Sequence, residues 1–191
     1  MDKYPDKISN DKELDELLSR PGPEAIEMFS RLDGDLIFLG VAGKIGPSLA
    51  YMAKRACDEA GIKKRIIGVS DFETREQQKK IGRYGIETIH GNMLNTKFTS
   101  TLPAVKNVFY LAGMKFGSVD NLSLTWAINT YLPAIVADHF RQSRIVAFST
   151  GCVYPLVPVE SGGSVETDAP VAIGEYAQSC LGRERMFEFG S

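Results

Sequence analysis

A short apolar run, Asp35-Leu36-Ile37-Phe38-Leu39, ends in glycines at 40, 43 and 46, and an amphipathic stretch follows from Pro47 to Ala60. The run does not alternate, as expected for a parallel strand covered on both faces. The junction after it is where an α/β protein receives a pyrophosphate. Gly40 permits the tight turn, Gly43 lets backbone approach the anion, and Gly46 lets the helix pack against the strand. With Lys44 and Ile45 they form the expected phosphate loop, in which free N–H groups at the helix start face the anion. Pro47 suits a first helical turn, where no intrahelical bond is lost.

The second apolar run, Arg65-Ile66-Ile67-Gly68-Val69, is followed by Ser70-Asp71. An acid at that strand tip can accept hydrogen bonds from adenosine ribose hydroxyls, which favours NAD. The alternative role for Asp71 is to cap a helix beginning near Glu73. Lys44 and Arg75 leave NADP open, since either can pair with a 2′-phosphate.

From Leu36 onward strands and helices alternate, the pattern of a doubly wound parallel sheet. Further strands are expected at 87–89, 107–111 and 144–148, and helices at 73–84, 122–141 and 176–189. Residues 151–174, rich in Gly, Pro and Val, read as a long ordered loop, of a length that is usually functional or mobile. Phe109, Tyr110 and Trp126 read as packing residues, and Tyr154 as support for the loop. Two short helices precede the first strand. Residues 12–19 place Leu14, Leu17 and Leu18 on one face, and residues 24–32 place Ile26, Phe29 and Leu32 on another, with Pro21-Gly22-Pro23 between. This divides the chain into an N-terminal helical extension, 1–34, and a dinucleotide-binding domain, 35–191. Nothing follows residue 191 to cover the newest sheet edge, so a fragment of a longer protein is expected.

A net charge of −2 argues against nucleic acid as a partner. The start, Met1 to Pro5, lacks an apolar signal core, and no run reaches membrane-spanning length. Cys57, Cys152 and Cys180 lack metal-ligand spacing and suit reduced thiols in cytoplasm. His90 and His139 read as structural or surface residues.

Five segments, in order, resemble the extended short-chain dehydrogenase/reductase family, in its NAD-dependent epimerase/dehydratase branch acting on nucleotide sugars. The resemblance covers roughly Leu36 to Phe187. Gly40 to Gly46 is similar to the family's G-x-x-G-x-x-G. Gly91-Asn92-Met93 resembles the segment that touches adenine, with Asn92 in place of Asp. Leu111-Ala112-Gly113-Met114-Lys115 resembles the turn lining the cofactor, and Asn129 sits where a helix Asn supports the site. Phe148 to Tyr154 resembles the strand end rich in Ser and Thr, with Pro155 replacing a Gly. Tyr176-Ala177-Gln178-Ser179-Cys180 stands where the family carries Tyr-x-x-x-Lys.

The resemblance implies a Rossmann fold and a site in which Tyr176 is the base and also meets the cofactor. Thr150 would be its hydroxyl partner, with Ser149 structural. It implies a nucleotide sugar as the small-molecule substrate and a homodimer formed through the long helices. Met114 and Phe116 suit a nicotinamide pocket or ordinary packing. The departure at Cys180 removes the cation that favours a phenolate, since an ordinary phenol near pKa ~10 is only about one part in a thousand ionised at neutral pH. Arg183, seven residues after Tyr176, and Lys115 are the candidate substitutes. Cys180 itself reads as a small buried filler. Two other readings stand beside the enzyme. One is a catalytically impaired NAD(P)-binding sensor or partner-binding module; the other is a flavodoxin or response-regulator type domain.

Overall fold

A computed structural model describes residues 5–191; the first four residues, within the start that lacks a signal core, lie outside the described residues. The chain forms two compact units, Met1–Gly91 and Asn92–Ser191. Among the described residues they hold five strands, every pairing of which within a unit is parallel. The class is the α/β doubly wound one, with an N-terminal helical arm.

In the first unit, β1 (Leu36–Leu39) and β2 (Ile66–Ser70) are buried along their whole length, which explains their unbroken apolar runs. The strand order is β3-β2-β1, with β3 at Glu87–His90. Leu36 pairs with Ile66, Phe38 with Gly68, and Ile67 with Glu87. Helix α3 (Gly46–Glu59) follows β1 and buries Ala50, Ala53, Ala56 and Cys57, a stripe of small residues. Helix α4 (Arg75–Gly82) follows β2. Its cap is Thr74, whose hydroxyl accepts from Gln77 N–H at 3.1 Å, so Asp71 is not the cap. His90 lies against Phe72, as a structural ring.

The arm consists of α1 (Asp11–Leu18) and α2 (Pro23–Arg31). A reciprocal cap starts α1: Asn10 Oδ1 accepts from Glu13 N–H, and the Glu13 carboxylate accepts from Ser9 N–H. Of the leucine face expected to dock it, only Leu17 is half-buried. Leu14 and Leu18 are exposed, and polar side chains make the attachment instead. Arg55 of α3 donates to both Glu16 carboxylate oxygens and to Ser19 Oγ. Asp15 accepts from the Tyr84 hydroxyl at 3.0 Å and pairs with Lys80 at 2.7 Å. In α2, Phe29 is the buried anchor.

Lys80, by its hydrogen bond, holds the Asp15 carboxyl below its ordinary pKa of 3.8, against the opposing effect of burial. A carboxyl lowered on folding contributes stability above its unfolded pKa and loses it as pH falls through the folded one. The thermal stability lead of the wild type over Asp15→Asn should therefore be full at neutral pH. It should shrink once the pH drops below 3.8, as a melting series in acid would show.

In the second unit, β4 (Asn107–Tyr110) pairs with β5 (Arg144–Ala147), Asn107 opposite Arg144 and Tyr110 opposite Ala147. The short α5 (Thr96–Thr99) precedes β4. The expected single helix over 122–141 is broken into α6 (Leu122–Trp126), a π-helical turn (Ala127–Tyr131) and α7 (Leu132–His139). Pro133 has no N–H to give to the Asn129 carbonyl one turn back, so regular α-helical bonding cannot run through. His139 bonds the Leu102 carbonyl at 3.2 Å, a structural role. Tyr110 is buried, but Trp126 is 37% exposed and its indole N–H donates to Glu175, so it is not a core residue. The long segment after β5 contains only two 3-10 turns, Gly151–Val153 and Val159–Ser161. Helix α8 (Gly174–Phe189) closes the chain.

Candidate functional site

The glycine loop between β1 and α3 is a backbone cradle. Gly40 has φ +86°, a left-handed conformation that favours glycine, and its carbonyl accepts from Gly43 N–H at 3.1 Å. At Gly46 a Cβ would lie 2.3 Å from the Val41 carbonyl oxygen, so only glycine lets α3 begin so close to β1. Gly43, Lys44 and Ile45 are exposed on the loop's open side. The start of α3 leaves first-turn N–H groups without intrahelical acceptors, which is the chemistry a pyrophosphate needs. These residues fit a dinucleotide's phosphates. Gln77, not foreseen from sequence, donates its amide to the Ala42 carbonyl at 3.1 Å and ties the loop to α4. Asp71 is exposed at the end of β2. Lys44 and Arg75 are exposed as well.

In the second unit, the expected site residues gather around α8. Asn129, in the π-helical turn, is fully buried and uses its whole amide. Its Oδ1 accepts from Met114 N–H at 2.8 Å and from Arg183 at 3.0 Å. Its Nδ2 donates to the Met114 carbonyl at 2.9 Å and to Ser179 Oγ at 3.0 Å. Ser179 in turn donates to the Tyr176 carbonyl at 2.8 Å. One side chain thus fixes the turn of Leu111 to Lys115 and the helix turn that carries Tyr176. Lys115 is exposed.

Thr150 lies just beyond β5, half-buried, and its Oγ1 accepts from Cys152 N–H at 3.3 Å. Tyr176 is half-buried on the first turn of α8. Burial pushes its phenol above the ordinary value of 10; the Thr150 hydroxyl and the Arg183 charge pull it down, while the Cys180 thiol adds to the rise. Cys180 is fully buried, and burial raises its thiol as well, with Arg183 opposing. It is a filler beneath Tyr176, with no charge to offer. Ser149 donates to Glu184, as a structural residue would.

An apolar cleft of about 320 Å³ opens over Tyr176, walled by Val119, Leu122, Cys152 and Ile173 with Ser118 and Glu175 at its edge. This volume is at the small end for a ligand pocket. The segment expected to meet adenine is differently disposed. Asn92 Oδ1 accepts from Leu94 N–H at 2.9 Å and closes a local turn, while Met93 is buried.

No protein-family model matches the chain, and the search of curated proteins found no match. Solved structures do match. A UDP-glucuronic acid 4-epimerase from Bacillus cereus, in complex with UDP-glucuronic acid and NAD, is 17% identical with a TM-score of 0.63, over 82% of this chain and 52% of that one. The enzyme WbmH of Bordetella bronchiseptica, in complex with NAD+, is 19% identical with a TM-score of 0.64, over 82% and 52%. A short-chain dehydrogenase/reductase superfamily protein from Agrobacterium tumefaciens, with bound NAD, is 21% identical with a TM-score of 0.61, over 81% and 44%. These proteins and this chain share the Rossmann-type fold.

The fold is theirs.

The chain spans about half the length of the solved structures it matches. Among the described residues, no helix is long and apolar enough to cross a membrane, and no group of three metal-ligating side chains gathers.

Proposed function

We propose that this chain binds NAD through residues 35–191 and belongs to the extended short-chain dehydrogenase/reductases, in the branch of epimerases and dehydratases that act on nucleotide sugars. The observation that carries the reading is the meeting of Thr150 with Tyr176 on the helix turn that Asn129 pins. The neighbours crystallised with NAD, one also with UDP-glucuronic acid, support the cofactor and the substrate class.

The backbone of Gly40 to Gly46 would hold the pyrophosphate, and Asp71 the adenosine ribose. Bound NAD would supply a hydride acceptor and donor for a sugar carbon. Tyr176 would remove or return the proton of a sugar hydroxyl, and Thr150 would hydrogen-bond the same oxygen. A base must be ionised to act, and the Tyr176 phenol lies above 10. Turnover should therefore rise with pH through the neutral range. Tyr176→Phe should lower it by about 10² or more. Product analysis of sugar nucleotides incubated with the full-length protein and NAD checks both; undiminished turnover in Tyr176→Phe would contradict the base assignment.

A second reading is an NAD-binding sensor or partner-binding module without catalysis. The uncharged, buried Cys180 favours it, since each pKa unit left untuned costs about 1.4 kcal/mol in forming the base. The two readings part on turnover, because NAD binds in both. Any product that disappears in Tyr176→Phe excludes the sensor.

A further inference from the structure

Arg183 is the buried cation of the second unit's core, 7% exposed. It sits on α8, two turns beyond Tyr176 and on the same side of the helix. One guanidinium nitrogen donates to the Phe148 carbonyl at 2.7 Å, at the end of β5. The other donates to Asn129 Oδ1 at 3.0 Å and would lie 2.6 Å from a Cβ at Gly113, so the turn after β4 closes directly on the charge. The guanidinium carbon stands 5.8 Å from the Tyr110 ring centroid. Its acceptors are a carbonyl and an amide, and no carboxylate pairs with it among the described residues. Its Nε is buried with no acceptor at all.

That arrangement is costly. A buried charge without a counter-ion is among the most destabilising features a core can hold, and a methionine or leucine would pack the same space without it. A strut kept only for its hydrogen bonds would have its donors satisfied. Arg183 instead leaves its charge uncompensated next to Cys180, the position from which a lysine would serve Tyr176.

We infer that Arg183 is a positioning residue that brings, from the next turn of α8, the positive charge that position 180 lacks. The inference rests on Tyr176 being the working phenol. The charge acts through Asn129 and Ser179, whose hydrogen bonds run from the guanidinium to the Tyr176 carbonyl, and through space on the phenol. The other titratable groups facing this cluster are Cys180 on α8, Cys152 in the turn after β5, and Tyr110 on β4. Glu184 is engaged by Ser149 and Glu175 by Trp126. A lysine introduced at 180 would meet a cation already in place, so the two positions are expected to exclude each other.

The test needs neither cofactor nor substrate, and so stands apart from a failure of NAD to bind. The Tyr176 phenol is titrated by NMR with tyrosine labelled at the ζ carbon, its signal assigned by loss in Tyr176→Phe. Arg183→Met should raise its midpoint by about 0.5–1 pH unit, and Arg183→Lys should keep it near wild type. An unchanged midpoint in folded Arg183→Met overturns the inference. Should that variant fail to fold, melting temperatures decide. Cys180→Lys should lower the melting temperature while Arg183 is present, and Cys180→Lys with Arg183→Met should fold where Arg183→Met alone does not. A double variant that also fails to fold overturns the inference equally.

Discussion

Gly46→Ala should destabilise the first unit by about 2 kcal/mol, although alanine is the better helix former. In an open helix the exchange would gain about 0.5–1 kcal/mol. Here the new Cβ meets backbone: 2.3 Å from the Val41 oxygen and 2.7 Å from its carbonyl carbon and Cα. No rotamer relieves such an overlap. The loop or the start of α3 must shift, and the shift falls on the peptide groups that would cradle a pyrophosphate. Affinity for NAD should fall at least about tenfold alongside stability, as each misplaced N–H bond to an anion is worth about 1.5–3 kcal/mol. Gly82 provides the contrast. A Cβ there has nothing within 4 Å, so Gly82→Ala should leave NAD affinity unchanged and melt no lower than wild type. Urea denaturation of the two variants side by side checks the sign.

Asn129→Leu should cost about 3–5 kcal/mol, although leucine matches asparagine closely in shape. The loss strands Met114 N–H and C=O, an Arg183 guanidinium nitrogen and, in part, Ser179 Oγ, all beside a fully buried site. Each unpaired buried group costs about 1–3 kcal/mol, and the guanidinium stands at the upper end because it is charged. A chemical denaturation midpoint close to wild type would mean that water or a rearranged turn replaces the amide. The same variant frees both the Leu111 to Lys115 turn and the Tyr176 turn, so any activity should fall with it.

The sequence revealed the fold where hydrophobic runs carried it. β1, β2 and β4 begin and end within a residue of the apolar stretches that mark them, because strands buried in a parallel sheet are apolar along most of their length. The glycine spacing was equally readable, since close approach of backbone leaves no alternative residue at Gly46. Helix interruptions were not. Nothing in the periodicity of residues 122–141 signals a π-helical turn, and Pro133 alone hinted that a carbonyl would lose its donor. The docking of α1 also escaped: its leucines suggested an apolar face, whereas Asp15 and Glu16 find partners far along the chain at Lys80, Tyr84 and Arg55. Long-range polar pairs leave no periodic trace.

The candidate site shows the same division. Motif order pointed to Tyr176, Thr150 and Asn129, which the fold brings together around α8, and to Cys180 as an uncharged residue beneath them. Arg183 was visible only as a spacing of seven residues. Its partners, the Phe148 carbonyl and Asn129, belong to other elements, and only the packing of α8 against them turns a helix-surface arginine into a buried one. Ser179 was unnoticed because a serine inside a helix ordinarily bonds its own backbone; here it does so and also accepts from Asn129.

Isothermal titration of the full-length protein with NAD, and separately with NADP, tests the proposal at its root. The expected result is saturable heat with NAD, weaker binding of NADP owing to Asp71, and affinity for NAD lower by at least about tenfold in Gly46→Ala. Absence of heat with either coenzyme in folded protein would contradict it.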